Sequence, residues 1–403
     1  MSENVFEGIT IVETADGIGV PFASKLLADL GARVIKIERP KTGDSLRQRG
    51  PFAGDEEDLE KSLGFFYVNS SKESVTIDQD TDEGARILKE LIRKADVWIR
   101  QGQPEYWAEK GLSYDELKVQ NPRLVLTSVT PFGESGPYKD YTANSFTVAH
   151  MCGNTVLYPH GTGDDDRAPC LLGGNFEEYD EGYVLCAGII AALYWRLSSG
   201  EGQYLEISQQ EARMMVLMNE NAPYPVFGMI FDRQGYVQKI QASLSYKTKD
   251  GWLNAFLTQT HEFVNVAKLL GKTDWLESAW FMDVAKRREH YEEIRDGIQA
   301  WTINYTTKEA VEILQKNKIP LGPVATPADV VESEQFNERG FFTEIEHSVL
   351  GRVKYPGKAY NLSKTPVSYT AAPTLGDSTH KVLKEILAYK DEAIEALASG
   401  GII

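Results

Sequence analysis

The amino-acid sequence predicts an α/β protein with a doubly wound, Rossmann-like domain built on a parallel sheet. Two observations support this fold class. Short runs rich in β-branched residues alternate with runs whose apolar residues recur at helical spacing, which is the pattern of parallel βαβ units. The chain also has 403 residues, too many for one ordinary hydrophobic core, so we expect two domains.

The first 130 residues show this alternation most clearly. The run 8–14 (GITIVET) predicts a strand, and 21–31 (PFASKLLADLG) predicts a helix that opens with proline and stops at glycine. The run 32–40 (ARVIKIERP) predicts a second strand. The next predicted elements are a strand at 73–80, a helix and strand over 82–99, and a short helix and strand within 111–133.

The second half of the chain is more varied. A buried helix is predicted from Glu181 to Ser198, and the irregular, proline-containing stretch 219–236 predicts a crossover between domains. The later predictions are a hairpin over 246–258 around Asp250-Gly251, helices at 261–271 and 308–319, a proline-rich return linker at 320–331 that opens a helix, and two short helices over 380–400.

Charge and composition exclude several classes of function. The net charge of −17 works against general binding to nucleic acid or acidic membranes, which needs clustered lysine and arginine. Three cysteines without CxxC spacing and six scattered histidines predict no disulfide framework and no metal site. The N-terminus lacks the pattern of a signal peptide, and the most apolar stretch, 183–195, is shorter than a membrane span, so we expect a cytoplasmic protein.

The stretch 171–193 (LLGGNFEEYDEGYVLCAGIIAAL) crowds four carboxylates against a buried helix: Glu177, Glu178, Asp180 and Glu181. They form a helix cap, a solvated turn or a reactive site. Asn175 followed by Glu178 at the third helical position is a capping-box pattern, so the first alternative stays open. The first strand-to-helix turn, 15–21, holds two glycines but lacks the third glycine of a dinucleotide fingerprint, which disfavours NAD binding.

Three further motifs occur in order along the chain: LGARVIKIERP at 30–40, R-x-x-S-G-E-G-Q at 196–203 and IPLGPV at 319–324. Together with shorter matches over nearly the whole chain, they resemble the family III CoA-transferases (CaiB/BaiF type). That group includes formyl-CoA:oxalate and carnitine CoA-transferases and the related α-methylacyl-CoA racemases. The resemblance implies a large domain formed by 1–220 and 326–403, a small inserted domain at 221–325, and an interlocked dimer.

The resemblance also implies a covalent mechanism, in which an enzyme carboxylate carries CoA between two carboxylic acids. Counted from AGIIAAL, Glu178 falls where the CoA-transferases have their catalytic aspartate, and Glu177 falls where the racemases have theirs. Asp180 lies two residues further on and is a third candidate. Glutamate in place of aspartate is a departure from the family, because one extra methylene changes the position of the carboxylate.

Binding of CoA or acyl-CoA as substrate is assigned by the same resemblance. Arg39 matches an arginine that contacts the CoA phosphates, and the alternative for it is a solvated strand-end arginine. The remaining candidates are Gly17, Ile18 and Gly19 in the turn near the adenine and pantetheine, Lys72 (or else a solvated turn lysine), and Gln101. Ile18 replaces a polar residue, Gln101 replaces asparagine and Glu109 replaces arginine, so the match is uneven. His261 stands where oxalate-type members have a glycine-rich loop.

The predicted function is therefore a CoA-transferase, acting as a homodimer or as a heterodimer with a paralogous subunit. Two alternatives stay open. One is a catalytically inactive subunit of a hetero-oligomeric transferase, such as an aromatic-succinate type. The other is a racemase-like enzyme, although the histidine expected before the FG.GP segment is missing and His150 comes only later. Aromatic residues line a substrate pocket or form a core stripe: Tyr224, Phe227, Phe231, Trp252 and Phe256.

Overall fold

The chain folds into two compact units. The computed structural model describes residues 4–153, 155–158, 166–216, 222–230, 244–357 and 360–403. The first unit comprises Met1–Thr155, Leu171–Gly228 and Gly340–Ile403, and the second comprises Val156–Cys170 and Met229–Arg339.

The first unit is built on a six-stranded sheet in which every neighbouring pair of strands is parallel. The strand order is β3-β2-β1-β4-β5-β6, which is the order of a Rossmann sheet. The predicted α/β class with a parallel sheet is confirmed. The strands are β1 (Thr10–Thr14), β2 (Arg33–Glu38), β3 (Lys72–Thr76), β4 (Val97–Gln101), β5 (Val125–Thr130) and β6 (Tyr204–Ser208).

Helices cover both faces of this sheet, because successive strand residues point to opposite sides. Val12 packs in one apolar cluster with residues of α3 and of the C-terminal helix, whereas Ile11 packs in the other with residues of α1 and α7. The helices of this unit are α1 (Gly19–Asp29), α2 (Leu63–Val68), α3 (Asp82–Lys94), α4 (Pro104–Glu109), α5 (Tyr114–Gln120), α6 (Ser145–His150), α7 (Phe176–Ser199), α8 (Gln209–Val216), and the segments Pro223–Phe227, Thr379–Leu387 and Asp391–Ser399. Short 3-10 turns lie at Ser45–Gln48, Ala53–Asp55 and Thr155–Leu157.

The remaining strands form two small antiparallel sheets. Strands β10 (Phe342–His347) and β11 (Gly351–Pro356) pair as a hairpin in the first unit. In the second unit, β7 (Leu244–Lys247), β8 (Trp252–Ala255) and β9 (Leu321–Pro323) form one sheet. The helices of the second unit are Thr260–Leu269, Thr273–Glu277, Val284–Glu289, Tyr291–Thr302, Thr307–Lys316, Pro327–Glu332 and Glu334–Glu338.

Pairing of Lys247 with Trp252 confirms the hairpin predicted around Asp250-Gly251. The return linker predicted at 320–331 is wrong for Leu321–Pro323, which form β9 because their backbone pairs with β8. The predicted crossover at 219–236 lies mostly outside the described residues, and its described part contains the short helix Pro223–Phe227.

Helix α7 begins five residues before the predicted start at Glu181 and includes all four carboxylates. By length and composition α7 is long and apolar enough to cross a membrane, and it is the one such helix among the described residues. Its residues Leu185, Ile189 and Leu193 pack in the second core cluster. A core helix of this kind has the same length and composition as a membrane span, so these two properties do not assign α7 to a membrane.

Candidate active site

The four predicted carboxylates occupy the first two turns of α7. Asn175 precedes the helix with a φ of 55°, and its side chain makes no capping hydrogen bond to the helix. Its Oδ1 instead accepts a hydrogen bond from Arg49 Nη2 at 3.3 Å. The capping-box alternative is therefore wrong, because the left-handed backbone at Asn175 does not place its side chain on the first turn.

The carboxylates differ in exposure. Glu177 and Glu181 are buried, whereas Glu178 and Asp180 are partly exposed. One oxygen of Glu177, Oε1, is buried and has no hydrogen-bond partner among the described residues. Asp180 is two residues from Glu178, which is about 200° around the helix axis, so the two side chains leave the helix on different sides. Burial and the charge of Glu177 raise the pKa of Asp180.

Glu181 is held by two side chains of α8. Its Oε2 accepts from Arg213 Nη2 at 2.9 Å, and its Oε1 accepts from Gln209 Nε2 at 2.8 Å. Burial raises the pKa of Glu181, against the opposing charge of Arg213. Each oxygen of Glu181 thus has a partner inside the protein, and its burial keeps it from a substrate.

Glu178 lies three residues before Glu181, on the same face of α7. Burial raises the pKa of its carboxyl, while the charge of Arg213, a hydrogen bond with Ser145 and the charge of Arg49 lower it. Since its side chain is only partly buried, a carboxylate in this place is both supported by the protein and reachable by a substrate. Of the four carboxylates, Glu178 combines these two properties.

The N-terminus of α1 packs directly on this turn of α7. A Cβ added to Gly19 would lie 2.8 Å from Cδ of Glu181 and 3.0 Å from the carbonyl oxygen of Glu178. A Cβ added to Gly182 would lie 2.7 Å from the carbonyl oxygen of Gly19. Two glycines therefore bring the predicted CoA-binding turn into contact with the backbone of Glu178 and the side chain of Glu181.

The rest of that turn is held by side chains from other loops. Gly17 has a φ of 85°, and its backbone N–H donates to Asp44 Oδ1 at 3.1 Å. The N–H of Asp16 donates to Gln101 Oε1 at 3.2 Å. The side chain of Ile18, in contrast, is 4% exposed and packs in an apolar cluster with Phe22 and Phe65, so it faces the core.

A cavity of about 330 Å³ opens at the carboxyl ends of β1, β2 and β4, next to this turn. In doubly wound sheets, ligands bind at this edge. The cavity brings together Arg39 and Gln101, which the sequence predicted as CoA contacts. Its polar lining includes Asp16, Glu38, Arg39, Gln101, Gln103 and Tyr106. The Arg39 side chain is 56% exposed and its Nη1 lies 2.7 Å from Asp80 Oδ2.

The environment of Lys72 fits neither prediction for it, a contact with CoA or a solvated turn lysine. It begins β3 and its side chain is fully buried, so it is not a solvated turn residue. Its ammonium donates to Glu13 Oε2 at 2.9 Å, to the carbonyl of Pro21 at 2.8 Å and to Asn69 Oδ1 at 2.8 Å. Because all three N–H groups are used inside the protein, Lys72 has none left for a CoA phosphate.

The other predicted positions are partly or fully exposed. Glu109 ends α4 and is exposed. His150 ends α6, where its Nδ1 lies 2.9 Å from the carbonyl oxygen of Phe146, and His261 is exposed in the second unit. The core-stripe alternative is wrong for the four described aromatics, because Tyr224, Phe227, Trp252 and Phe256 are all exposed. Phe231 lies outside the described residues.

Sequence reasoning missed Arg213, Ser145 and Gln209. Arg213 is 1% exposed, although α8 (QQEARMMV) is half polar. A buried arginine needs a carboxylate partner, but nothing in the sequence of α8 marks Arg213 as buried. The partner, Glu181, is 32 residues away, so periodicity could not identify it.

The model of CoA-transferase family III matches residues 6–379 of this chain. The succinate–glutarate CoA-transferase of Agrobacterium fabrum is 30% identical, and the match covers 97% of each chain. The succinyl-CoA–L-malate CoA-transferase beta subunit of Chloroflexus aurantiacus is 31% identical over 98% of this chain and 97% of its own. A CAIB/BAIF family protein from Brucella suis has a similar solved structure, with a TM-score of 0.80 and 27% identity over 95% of this chain and 99% of its own.

Proposed function

This chain belongs to CoA-transferase family III, and we propose that it moves CoA between carboxylic acids through a covalent intermediate on Glu178. The observation that carries the assignment of Glu178 is its placement. It is a partly exposed carboxylate that lies one turn before the buried Glu181–Arg213 ion pair and beside the N-terminus of α1.

The proposed relay consists of exchanges at acyl carbons, each of which needs an ionised nucleophile. The Glu178 carboxylate attacks the thioester carbonyl of the donor, the C–S bond breaks, and CoA leaves as thiolate. The thiolate then attacks the Glu178 carbonyl of the mixed anhydride, releasing the donor acid as carboxylate and leaving CoA on Glu178 as a thioester. The acceptor carboxylate reverses the sequence, and no net proton transfer is required.

The cavity beside Arg39 and Gln101 is the proposed site of the nucleotide part of CoA. A guanidinium matches the shape and charge of a phosphate, and cavities of this volume hold small ligands. The turn between β1 and α1, which contains Gly17 and Gly19, lies between this cavity and Glu178. In this proposal Ile18 and Lys72 make no side-chain contact with CoA, since both are buried in the core.

The relatives act on succinate, glutarate and L-malate by their names, and these are the first acids to test. The proposed assay mixes a CoA thioester with isotopically labelled free acids and follows the labelled thioester by mass spectrometry. Transfer by the wild-type protein that is lost in Glu178→Gln supports the proposal. Transfer that persists in Glu178→Gln overturns the role of Glu178.

A second candidate is a subunit of a hetero-oligomeric transferase, favoured by the relative named as a beta subunit. Transfer that requires a second, paralogous chain would support this candidate. A racemase-like activity is distinguished in the same assay, because it exchanges the α-hydrogen of an acyl-CoA with D₂O and transfers no CoA.

We also propose that α7 contributes to a dimer interface. Large apolar side chains project from its solvent face, with Tyr194 75% exposed and Leu197 79% exposed. With Tyr183 and Ile190 they follow one helical stripe, and exposed apolar stripes of this kind mark interaction surfaces. The partner is a second copy of this chain or a paralogous subunit, in the interlocked arrangement that the family resemblance implies.

A further inference from the structure

Two backbone groups of the turn between β1 and α1 are held by buried, charged side chains from outside the turn. The carbonyl oxygen of Ala15 accepts a hydrogen bond from Lys36 Nζ at 2.7 Å. The N–H of Gly17 donates to Asp44 Oδ1 at 3.1 Å. Lys36 belongs to β2 and Asp44 to the loop that follows β2, so the conformation of the turn depends on its neighbour in the sheet.

The two side chains that hold the turn also contact each other. Lys36 Nζ lies 2.7 Å from Asp44 Oδ2, and both side chains are 0% exposed. Oδ2 has no directed hydrogen bond among the described residues, so this contact is an ion pair held by charge. Asp44 Oδ1 also accepts from the N–H of Leu46 at 2.7 Å, and Lys36 Nζ also donates to Glu13 Oε1 at 2.8 Å. Each partner of the ion pair is therefore fixed by further contacts.

The turn lines the cavity at the carboxyl ends of the strands, whereas the ion pair lies behind the turn. Ala15 and Asp16 are among the residues that line this cavity of about 330 Å³, and Lys36 and Asp44 are not. The N–H of Asp16, between the two groups held by the ion pair, donates to Gln101 Oε1 at 3.2 Å. An effect of the ion pair on a ligand in the cavity must therefore act through the backbone of the turn.

A turn of this kind has conformational freedom that must be restricted before it can bind a ligand well. Gly17 has a φ of 85°, and glycine has more accessible backbone conformations than any other residue. If only a fraction of molecules holds the binding conformation, the apparent affinity falls by that fraction. A buried ion pair adds little net stability compared with packed apolar residues, so stability alone does not account for two buried charges at this place.

We propose that Lys36 and Asp44 are positioning residues, which fix Ala15 and Gly17 in the conformation of the turn that receives CoA. This inference rests on the proposed function, which assigns the cavity to the nucleotide part of CoA. A turn that is already ordered contacts the ligand without an ordering cost. Loss of the ion pair therefore weakens the binding of CoA and leaves the reaction at Glu178 unchanged.

The test measures the Kd of CoA for the full-length protein and for variants at Asp44 by isothermal titration calorimetry. Asp44→Ala removes both the acceptor for the Gly17 N–H and the counterion of Lys36, and it should raise Kd about tenfold or more. Asp44→Asn keeps an oxygen for the Gly17 N–H and loses the charge, so it should raise Kd by a smaller factor. The kcat for CoA transfer at saturating acyl-CoA should stay within about twofold of wild type in both variants.

Asp29 offers a matched control at the other end of α1. It is 4% exposed, forms a buried ion pair with Lys25 and accepts a hydrogen bond from Ser71 Oγ at 2.9 Å. None of these contacts involves the turn between β1 and α1. Asp29→Ala should lower Tm, as Asp44→Ala does, and leave the Kd of CoA unchanged. A rise in Kd for Asp29→Ala as large as that for Asp44→Ala would overturn the inference.

Hydrogen exchange followed by mass spectrometry keeps the test decisive if Asp44→Ala does not fold. Without CoA, the peptide 14–20 should exchange faster in Asp44→Asn than in wild type and no faster in Asp29→Asn, and saturating CoA should reduce the difference. Wild-type exchange together with a wild-type Kd in Asp44→Asn would overturn the inference. If the wild-type protein binds no CoA, the proposed function fails instead, and the exchange rates still decide whether Asp44 holds the turn.

Discussion

Gly182 of α7 lies against Gly19 of α1 so closely that a Cβ on Gly182 would be 2.7 Å from the Gly19 carbonyl oxygen and 2.9 Å from Cδ1 of Phe22. The nearer atom belongs to the backbone and cannot turn away. This contact fixes the distance between the turn predicted to bind CoA and the carboxylates predicted to react with it.

The substitution Gly182→Ala should therefore destabilise the protein by about 1–3 kcal/mol, as overpacking in a filled core does. Gly188 in the same helix is the control, since its nearest contacts are the flexible methyl groups of Leu205, the closest at 3.2 Å. Urea unfolding of both variants measures the difference. Equal stability of Gly182→Ala and Gly188→Ala would show that the two helices can separate without cost.

Arg39 should contribute to the affinity for CoA. Arg39→Ala is expected to raise KM for an acyl-CoA about tenfold or more, because a charged hydrogen bond to phosphate is lost, and to leave kcat nearly unchanged. Arg33 is the control: it lies at the opposite end of β2 and forms a similar ion pair, with Glu73 at 2.7 Å. A rise in KM for Arg33→Ala as large as that for Arg39→Ala would contradict a local phosphate contact.

Two buried lysines pair with Glu13, and they should differ in their effect on stability. Lys36 contacts Glu13 at 2.8 Å and Asp44 at 2.7 Å, and its pKa is raised by these carboxylates against the effect of burial. Burial lowers the pKa of Lys72 to about 8, although Glu13 opposes the shift. Lys36→Met should lower the free energy of unfolding by about 3–5 kcal/mol, because it leaves buried carboxylates without their partner. Lys72→Met should lower it by less.

The contribution of Lys72 to the stability of the protein should depend on pH, and its lowered pKa fixes the direction of that dependence. Lys72 binds its proton less tightly in the folded chain than in the unfolded chain, so between pH 8 and 10.5 the unfolded state holds more protons. The contribution of Lys72 to the free energy of unfolding should therefore rise with pH across this window. Denaturant unfolding of wild type and Lys72→Met at several pH values measures it. A wild-type stability that falls relative to Lys72→Met over this window would contradict the assignment.

The exposed stripe of α7 predicts an effect on assembly. Leu197→Glu should shift the protein from dimer toward monomer, measured by light scattering after size-exclusion chromatography, because a charge at the interface must be desolvated. Val119 of α5 is equally exposed at 79% and serves as the control. A dimer that survives Leu197→Glu, or one that Val119→Glu also dissociates, would place the interface elsewhere.

The parallel sheet could be predicted from the sequence because most of its strands are short runs rich in β-branched residues between helical segments. The predicted runs 8–14 and 32–40 contain β1 and β2, and the predicted tail helices match Thr379–Leu387 and Asp391–Ser399. Local patterns of this kind record which side chains are buried, and that is enough to define strands and helices.

The environment of the site could not be predicted in the same way. Lys72 reads as a turn lysine until the sheet places Glu13, 59 residues away, beside it. Asn175 reads as a helix cap until its φ of 55° is known. The buried helix is predicted to start at Glu181, five residues late, because Glu177 and Glu178 look solvent-exposed by residue type. The pairing of Glu181 with Arg213, which stabilises a buried acidic turn, cannot be seen in the sequence.

The most direct test asks whether CoA becomes attached to Glu178. The purified protein is incubated with an acyl-CoA, the enzyme thioester is trapped with hydroxylamine or reduced with borohydride, and the modified peptide is identified by mass spectrometry. The expected result is a single modification on Glu178, absent from Glu178→Gln and present in Asp180→Asn. Modification of Glu177 or Asp180 instead, or none in the presence of a competent donor, would contradict a covalent role for Glu178.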